Sequence, residues 1–430
     1  MKSCKQFIID HFDDFKRDLK GLIEIPSVTS DREKSVEALN YVIDLARSYG
    51  FNAFTTRGAR VGVIEYGDGD ETLGILAHVD VVQADASEWR FPPFTLTEHG
   101  GRLYGRGAID DKGAVIMALY ILKYFNETGV TGNKKIQLII GTQEESEWDD
   151  MDAYRAELKT PDYGFTPDGE FPISNAEKGY IDLVLSFPAK SITSVTGGNA
   201  PNTVASSVTL TADGNEYIFT GKAAHSSTPW EGKNAIVKAA EELDGKVDEE
   251  VFRFIREVFD GDDYGTKLGL YKESYVNGNC INLTTLVPTL IAMEQGNVLL
   301  TVNVRTAFGT SNAEIKSGFE KAGKKYGFSV TELPYAMEAI YVDYRHEFLQ
   351  LMKKTYDDIV GGDFGFTLTY GTSYAKALPN FVAFGPGFPG EADTAHQADE
   401  YIATDKMLLA CEIYAEYMKV IISSKKSFKI

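Results

Sequence analysis

The sequence predicts an α/β protein in which a split domain, built on a mostly parallel or mixed sheet flanked by helices, is interrupted by an inserted α+β domain. Its 430 residues exceed the roughly 250–300 that one hydrophobic core usually serves, so two domains are expected. Strand and helix patterns alternate over residues 1–178 and again over 341–430, which is typical of a parallel sheet. Residues 179–340 between them carry the pattern of antiparallel strands.

The first segment, residues 1–178, begins with two helical patterns and continues with strands. Residues 3–24 and 31–50 carry apolar side chains at helical spacing. Short apolar runs predict strands at 51–56, 61–66, 72–79 and 134–140, and an apolar stripe predicts a helix at 111–127. This alternation favours a largely parallel sheet.

The inserted segment, residues 179–340, differs in pattern from the sequence on either side. Antiparallel strands are predicted at 180–188, 204–220, 281–293 and 297–305, and helices at 232–245, 249–260 and 311–327. Residues 261–280, rich in Gly, Asp and Lys, are expected to form a loop. In the last segment, residues 341–430, we predict a helix at 346–359, a strand at 380–384 and a helix at 401–422.

Composition narrows the class of protein. The net charge of −20 argues against nucleic acid and anionic membranes as partners. No apolar run reaches the ~18–20 residues of a membrane span, and the N-terminal segment lacks the apolar core of a signal peptide. Three widely spaced cysteines, Cys4, Cys280 and Cys411, form no CxxC pair and are expected to be buried free thiols. We therefore expect a cytoplasmic protein.

Candidate chemistry lies at the ends of predicted strands. His78 and Asp80 close the strand at 72–79, and their spacing points both side chains the same way on an extended backbone. A glycine-rich loop, residues 105–113, then delivers Asp110. Acidic or imidazole side chains also adjoin other predicted elements, at Glu144, Glu145, Asp168 and His396. Two imidazoles and several carboxylates can hold two divalent ions if one carboxylate bridges them, leaving another to act as a base.

The order of these pieces resembles the dinuclear metallopeptidase family of aminoacylases, carnosinases, carboxypeptidase G and succinyl-diaminopimelate desuccinylase. Within that family the chain looks most similar to the bacterial dipeptidase V type. The matching pieces span nearly the whole chain: His78-Val-Asp80, Trp89…Pro93-Phe94, Gly105-Arg-Gly-Ala-Ile-Asp-Asp-Lys-Gly113, Gly141-Thr-Gln-Glu-Glu145, Pro167-Asp168, Gly221-Lys-Ala-Ala-His225-Ser-Ser-Thr-Pro229 and Ala395-His-Gln397.

The resemblance implies a role for each matching residue. Asp110 would bridge two divalent ions, most often zinc, with manganese or cobalt as alternatives. His78 and Asp168 would complete one site, and Glu145 and His396 the other. Glu144 would be the general base, and Asp80 would orient the imidazole of His78 from behind.

The resemblance also makes the inserted domain a lid over the catalytic domain. In the family a lid histidine polarises the scissile carbonyl, and His225 matches it. Arg305 matches an arginine that holds the substrate carboxylate, and Asn202 matches a lid asparagine of the dipeptidase type. The loop from Tyr370 to Ala375, with Gly371, is expected to line the same pocket.

The function implied is a metal-dependent dipeptidase in which a hydroxide bridging two divalent ions attacks the amide bond. A deacylase of N-acyl amino acids would use the same ligands and is the alternative. A binding relative without activity would need a lost ligand or base, and the five ligands and Glu144 are all in place. The expected partner is a small dipeptide, with no nucleic acid and no membrane, and the chain is expected to be a monomer or a homodimer.

Two departures from the family pattern concern shape and assembly. Where relatives have a small residue after the Glu pair, this chain has Glu147, then Trp148, which changes the entry loop. The insert is shorter than in the dipeptidase V type, so His225 could serve its own chain or a partner subunit.

Three other acidic positions receive structural interpretations. Asp111 is expected to cap the following helix. The run from Glu147 to Asp150 is expected to be a solvated helix start, and Asp399-Glu400 the first turn of the last helix.

Overall fold

The computed structural model describes residues 2–276, 279–334, 336–369 and 371–430, without the side chains of residues 276 and 279–282. Part of the predicted loop 261–280, the Cys280 thiol and Tyr370 therefore lie outside the described residues. The chain forms two compact units. The first comprises Met1–Asn175, Val342–Thr367 and Ser373–Ile430, and the second comprises Ala176–Tyr341 and Leu368–Thr372.

The first unit is built on a mixed sheet whose central strands are parallel. In spatial order its strands are Asn52–Thr55, Gly62–Tyr66, Lys135–Gly141, Thr72–His78, Tyr163–Thr166 and Phe381–Ala383. The last four run parallel to one another, and the first two form an antiparallel hairpin. The pairing of His78 with Gly141 shows that two central strands end at the same edge. The α/β fold class predicted from the sequence is confirmed.

Helices pack against this sheet in the same unit. They are Cys4–Asp10, Phe12–Ile23, Arg32–Ser48, Lys112–Thr128, Asp149–Glu157, Glu347–Val360 and Thr404–Ser423. Lys112–Thr128 is buried on nearly every face, and its side chains share one core with the strands. The helix ends because Gly129 adopts a left-handed conformation, from which its N–H donates to the carbonyl of Phe125.

Smaller elements complete the first unit. Strands Thr97–His99, Arg102–Tyr104 and Tyr401–Ala403 form a three-stranded sheet, and Gly169–Glu170 pairs with Pro386–Gly387. Short 3-10 turns occur at Ala86–Glu88 and Tyr374–Ala377. The short strands Ser174–Glu177, Ile340–Tyr341 and Thr367–Thr369 lie where the chain passes from one unit to the other.

Two helix predictions in this unit are wrong in their bounds. The pattern at 3–24 contains two helices separated at His11, whose Nδ1 lies 2.8 Å from the Phe7 carbonyl oxygen. The apolar spacing does not register the break because both helices bury side chains in the same core. The last helix begins at Thr404 instead of 401, since residues Tyr401–Ala403 pair with Arg102–Tyr104.

The second unit is an antiparallel sheet with helices. Its strand order is Asn215–Thr220, Ser207–Ala212, Ile192–Gly197, Thr285–Glu294, Asn297–Thr306, Gly179–Pro188 and Ser329–Glu332. The helices are Ala235–Glu242, Glu250–Phe259 and Asn312–Tyr326, with 3-10 turns at Pro229–Glu231 and Thr266–Leu268. They share a core with the sheet that includes Leu185, Phe254 and Phe319.

Hairpins account for the differences from prediction in the second unit. The predicted strand 204–220 is two strands joined at Asp213 and Gly214, both with positive φ, as a tight hairpin turn requires. The predicted loop contains a hairpin strand, Glu273–Val276, which pairs with Asn279–Leu283. The strand Ile192–Gly197 was not predicted, since its exposed residues interrupt the apolar alternation.

Across the described ranges, no helix combines the length with the apolarity that crossing a bilayer requires.

Candidate metal centre

Parallel strand ends bring candidate ligands to one edge of the sheet. His78 ends the buried strand Thr72–His78. Glu144 and Glu145 follow the strand Lys135–Gly141, and Asp168 follows Tyr163–Thr166. Because these strands are parallel neighbours, their carboxyl ends meet at the edge where open α/β sheets bind ligands.

Asp110 comes from the glycine-rich loop before the helix Lys112–Thr128. The loop is tightly folded, since the N–H of Gly113 donates to the Gly107 carbonyl at 3.0 Å. A Cβ at residue 113 would lie 2.1 Å from the Ala108 carbonyl oxygen, so this close approach requires glycine. The peptide bond between Asp110 and Asp111 is cis.

The Asp110 carboxylate faces both imidazoles of the site. Its Oδ1 lies 3.2 Å from His78 Nε2, and its Oδ2 lies 3.0 Å from His396 Nε2. The ligand atoms form two sets, each with all atoms within 4.8 Å of one another: His78, Glu144 and Asp168, and Asp110, Glu145 and His396. A carboxylate with one oxygen toward each histidine has the geometry of a bridging ligand.

His396 reaches the site from the loop between the last two strands of the unit. Its Nε2 lies 2.9 Å from Glu145 Oε1. Its φ of 62° is in the left-handed region, which is uncommon for a residue with a side chain and often marks a functional site. The structure therefore brings together all six residues assigned from the sequence as ligands or base.

Burial disfavours ionisation of most carboxylates here. Burial and then the charge of Asp168 raise the pKa of Glu144 well above its ordinary value. Burial and then the charge of Asp110 raise the pKa of Asp168 to about 7. Asp110 differs, because its close contacts with the His396 and His78 imidazoles outweigh its burial and lower its pKa. A divalent cation would relieve the repulsion among these groups.

The two imidazoles of the site have raised pKa values because they face carboxylates. Hydrogen bonds to Asp110 and Glu145 raise the pKa of His396 to about 11. Burial opposes protonation of His78, but its carboxylate neighbours prevail and raise its pKa. Among the described residues, the buried His78 Nε2 has no hydrogen-bond partner of good geometry. An imidazole nitrogen without a hydrogen-bond partner, together with the carboxylates that it faces, forms a set of ligand atoms that fits a divalent transition metal.

Asp80 contacts His78 and also the backbone that carries Glu144 and Glu145. His78 Nδ1 donates to the backbone carbonyl of Asp80 at 2.9 Å, while the Asp80 carboxylate lies farther away, at 3.4 Å. That bond keeps the proton on Nδ1 and leaves Nε2 available as a ligand. The carboxylate instead accepts the backbone N–H groups of Glu144 and Glu145, both at 3.1 Å.

Glu400 is buried beside the site. The prediction that it belongs to the first turn of the last helix is wrong, because that helix begins at Thr404. Its Oε1 accepts the N–H groups of Ile109 and Asp110 at 3.0 and 3.2 Å. Its Oε2 accepts from the Gly107 N–H and, at 2.7 Å, from Arg106 Nη1. Glu400 thus fixes the backbone of the loop that carries Asp110.

The interpretations of Asp111 and Asp150 are also corrected. Within the described residues Asp111 makes no side-chain capping bond, and its Oδ2 accepts the N–H of His78 at 3.2 Å. A helix does begin at Asp149, but Asp150 is buried and binds the backbone after the strand Lys135–Gly141. The sequence holds no signal for these contacts, because the partners are peptide groups.

The predicted lid residues belong to the second unit. His225 Nδ1 accepts the N–H of Ser227 at 3.2 Å and lies 2.6 Å from the Ser227 hydroxyl oxygen. This pairing leaves the neutral-ring proton on Nε2. Burial and then the charge of Arg305 lower the pKa of His225. The Asn202 carbonyl accepts from the Ser226 N–H at 2.9 Å, next to the histidine.

Arg305 has an uncommitted nitrogen. It lies on the strand Asn297–Thr306, where its guanidinium stands over the Tyr180 ring at 5.3 Å. Its Nε is buried without a hydrogen-bond partner in the described part of the chain. A buried guanidinium with an unused donor is suited to an anionic group. Gly371 lies in the stretch Leu368–Thr372 of the same unit.

A recess adjoins the ligands in the first unit. Its volume is about 160 Å³, and it extends from Asp110 and Asp168 along an apolar wall of Ile109, Phe388 and Ile402. Carboxylates also line it, at Glu170, Glu391 and Asp393, and Glu391 is paired with Lys406 at 3.2 Å. Apolar walls with a few polar groups are typical of a small-molecule site.

Two solved structures share the fold. Human carnosine dipeptidase 1 superposes with a TM-score of 0.63 at 16% identity, covering 97% of this chain and 98% of the other. Aminoacylhistidine dipeptidase from Vibrio alginolyticus gives a TM-score of 0.67 at 14% identity, covering 95% and 96%.

Sequence comparison extends this likeness to the family. The chain is 31% identical to "Putative dipeptidase YtjP" of Bacillus subtilis (strain 168), with 95% of this chain and 97% of the relative aligned. It is 30% identical to "Putative dipeptidase SSP1012" of Staphylococcus saprophyticus, with 95% and 97% aligned. The family model described as peptidase family M20/M25/M40 matches residues 74–420. The chain therefore belongs to the peptidase family M20/M25/M40.

Proposed function

We propose that this metallopeptidase is a dipeptidase acting through two divalent ions. The observation that carries the proposal is the Asp110 carboxylate, with one oxygen toward His78 and the other toward His396. Asp168 would complete the first ion site and Glu145 the second. The mixed nitrogen and oxygen donors favour zinc, with manganese or cobalt as alternatives. Bound ions would supply Lewis acidity to the scissile carbonyl and lower the pKa of water held between them, making hydroxide available.

Glu144 is proposed as the general base that takes the proton from the attacking water. Its backbone is fixed by Asp80, so the carboxylate is presented from a rigid strand end. Burial and then the charge of Asp168 raise its pKa, so that this carboxylate takes up and holds a proton more readily than a solvated glutamate does. The same carboxyl group can therefore return the proton to the leaving amine.

His225, Arg305, Asn202 and Gly371 are proposed to bind substrate. The Nε2–H tautomer of His225 offers a donor to the oxyanion that develops on the carbonyl. Arg305 would bind the carboxylate of the substrate through its uncommitted donors. The backbone carbonyl of Asn202 accepts a hydrogen bond from the N–H of Ser226, so Asn202 lies beside His225. Its side chain would add a polar contact to the substrate.

Whether His225 serves its own chain or a partner can be decided by mixing variants. Glu144→Ala and His225→Ala would be purified separately and combined after dissociation. If the histidine acts across a homodimer, mixing restores about one quarter of wild-type activity, because half the pairs gain one intact site. A monomer, or a dimer in which His225 acts within its chain, stays inactive.

The recess supports a second candidate, a deacylase of N-acyl amino acids. Its apolar wall suits an acyl group, whereas the carboxylates of Glu170 and Asp393 suit the ammonium group of a dipeptide. We favour the dipeptide because the carboxylates of Glu170 and Asp393 would attract its ammonium group and would offer no such attraction to an uncharged acyl group. The expected cytoplasmic location fits this function, as Cys4 and Cys411 are buried free thiols.

The deciding experiment compares the rates at which the metal-loaded protein hydrolyses two classes of substrate. Dipeptides with apolar, polar and charged N-terminal residues are tested against the matching N-acetyl amino acids. We expect kcat/KM to be higher for the dipeptides. Faster hydrolysis of the acetylated set would overturn the dipeptidase proposal and leave the metal centre standing.

A further inference from the structure

The loop that carries Glu144 is anchored by a buried carboxylate outside the ligand set. One oxygen of Asp150, Oδ2, accepts the N–H of Thr142 at 2.7 Å, the N–H of Gln143 at 3.1 Å and the hydroxyl of Tyr374 at 2.5 Å. Asp150 and Tyr374 are both 0% exposed. This oxygen therefore fixes the first two peptide groups after the strand that ends at Gly141.

Trp148 holds the same loop from its other side. Its indole Nε1–H donates to the backbone carbonyl of Glu144 at 2.6 Å. The indole lies edge-on to the Tyr374 ring, with centroids 5.2 Å apart and an interplanar angle of 76°. Tyr374 is also edge-on to the His78 imidazole at 6.0 Å. Trp148 and Tyr374 thus connect the backbone of Glu144 to the imidazole of the candidate ligand His78.

Gly141 shows how closely the side chains fit against the strand end. A Cβ on this residue would lie 2.2 Å from the Tyr374 hydroxyl oxygen and 2.7 Å from Asp150 Oδ2. Both distances are shorter than atoms can approach without displacement. Glycine at 141 is therefore needed for Asp150 and Tyr374 to reach the loop.

Together with Asp80, these contacts anchor every peptide N–H from Thr142 to Glu145. The first two N–H groups are bound by Asp150 and the next two by Asp80. The Glu144 carbonyl is bound by Trp148. A catalytic group must be held within a fraction of an ångström of its productive position, and a misplacement of about 1 Å can cost roughly 10²-fold in rate.

We propose that Asp150, Tyr374 and Trp148 form a brace that positions the Glu144 carboxylate for proton transfer. They are positioning residues, because they act through the loop and not on the substrate. The inference rests on the proposed function, in which Glu144 is the base.

The test removes single hydrogen bonds while keeping an aromatic ring at each position. Tyr374→Phe loses only the hydroxyl that binds Asp150, and Trp148→Phe loses the indole donor together with part of the ring that packs against Tyr374. The matched control is Tyr120→Phe, which removes another buried tyrosine hydroxyl, bound to Asp18 at 2.6 Å. We expect kcat of the first two to fall at least about 10-fold relative to the control, with KM within about 2-fold. Metal content and the thermal midpoint should match the control.

A double-mutant cycle separates positioning from a general structural role. In the Glu144→Ala background, Tyr374→Phe and Trp148→Phe should cause no further loss of the residual rate, because the group they position is gone. Undiminished kcat in both single variants, or the same fold-loss with and without Glu144, would overturn the brace. The assay uses whichever amide the wild-type protein hydrolyses. A preference for N-acetyl amino acids would therefore overturn the dipeptidase proposal and leave the proposed brace unaffected.

Discussion

Replacing Asp80 with asparagine should loosen the catalytic loop without releasing metal. The buried carboxylate binds Glu144 N–H with Oδ1 and Glu145 N–H with Oδ2, each at 3.1 Å. Asparagine keeps one oxygen and turns an NH₂ group toward the other peptide N–H, so one charge-assisted bond is lost and one buried donor is unpaired. A hydrogen bond to a charged group contributes about 1.5–3 kcal/mol, and an orphaned buried donor costs about 1–3 kcal/mol. These overlapping terms predict a loss of about 2–4 kcal/mol in the free energy of unfolding.

The measurement is urea unfolding of the metal-loaded Asp80→Asn protein, with kcat determined in parallel. His78 Nδ1 is bound by the Asp80 backbone carbonyl, which the substitution retains, so metal content should not change. We expect kcat to fall about 10²-fold as Glu144 moves. Unchanged unfolding free energy together with loss of metal would refute this reasoning and restore the role predicted from the sequence, that of orienting His78.

Four further predictions concern the base, the ions and the recess. Glu144→Ala should keep its metal and lose about 10²–10⁴-fold in kcat, and substantial remaining activity would contradict the base assignment. A chelator should abolish activity and lower the thermal midpoint, with both restored by zinc, cobalt or manganese; an unaffected chelated protein would rule out metal chemistry. Because burial and the charge of Asp110 raise the pKa of Asp168 to about 7, its ligand form is lost as pH falls through that value. Metal affinity measured by calorimetry should thus rise with pH through about 7 and continue to rise above it, because binding must also displace the proton of His396, whose pKa is raised to about 11; a pH-independent affinity would contradict these shifts. Glu170→Gln should lower kcat/KM for dipeptides more than for N-acetyl amino acids, and equal losses would remove the recess from substrate selection.

Strand and helix patterns in the sequence predict the α/β class and the strand ends that carry the site. The strand predicted at 72–79 is Thr72–His78, and that predicted at 134–140 is Lys135–Gly141. Both are continuous apolar runs, because a central parallel strand is buried on both faces. The break at His11 was missed because it leaves the apolar spacing intact.

Candidate ligands could be found from the sequence, but their supports could not. His78 and His396 are two of only six histidines, and Asp110 stands in a recognisable glycine-rich motif between them. Asp150 and Glu400 look like ordinary solvated acids, since their partners are backbone N–H groups that exist at nearly every residue. Only the folded chain shows which peptide groups they bind, so the sequence offered no reason to separate them from surface carboxylates.

The contact between Glu145 and His396 forms late in biosynthesis, because the two residues lie far apart along the chain. The two residues are separated by 251 positions, and the whole inserted unit lies between them. Synthesis proceeds from the N-terminus at about 5–20 residues per second, so His396 leaves the ribosome tens of seconds after Glu145 at the slower rates. Until then the nascent chain has only part of its ion-binding set. A peptidase assembled in this order completes its ion-binding set only after the inserted unit has been made.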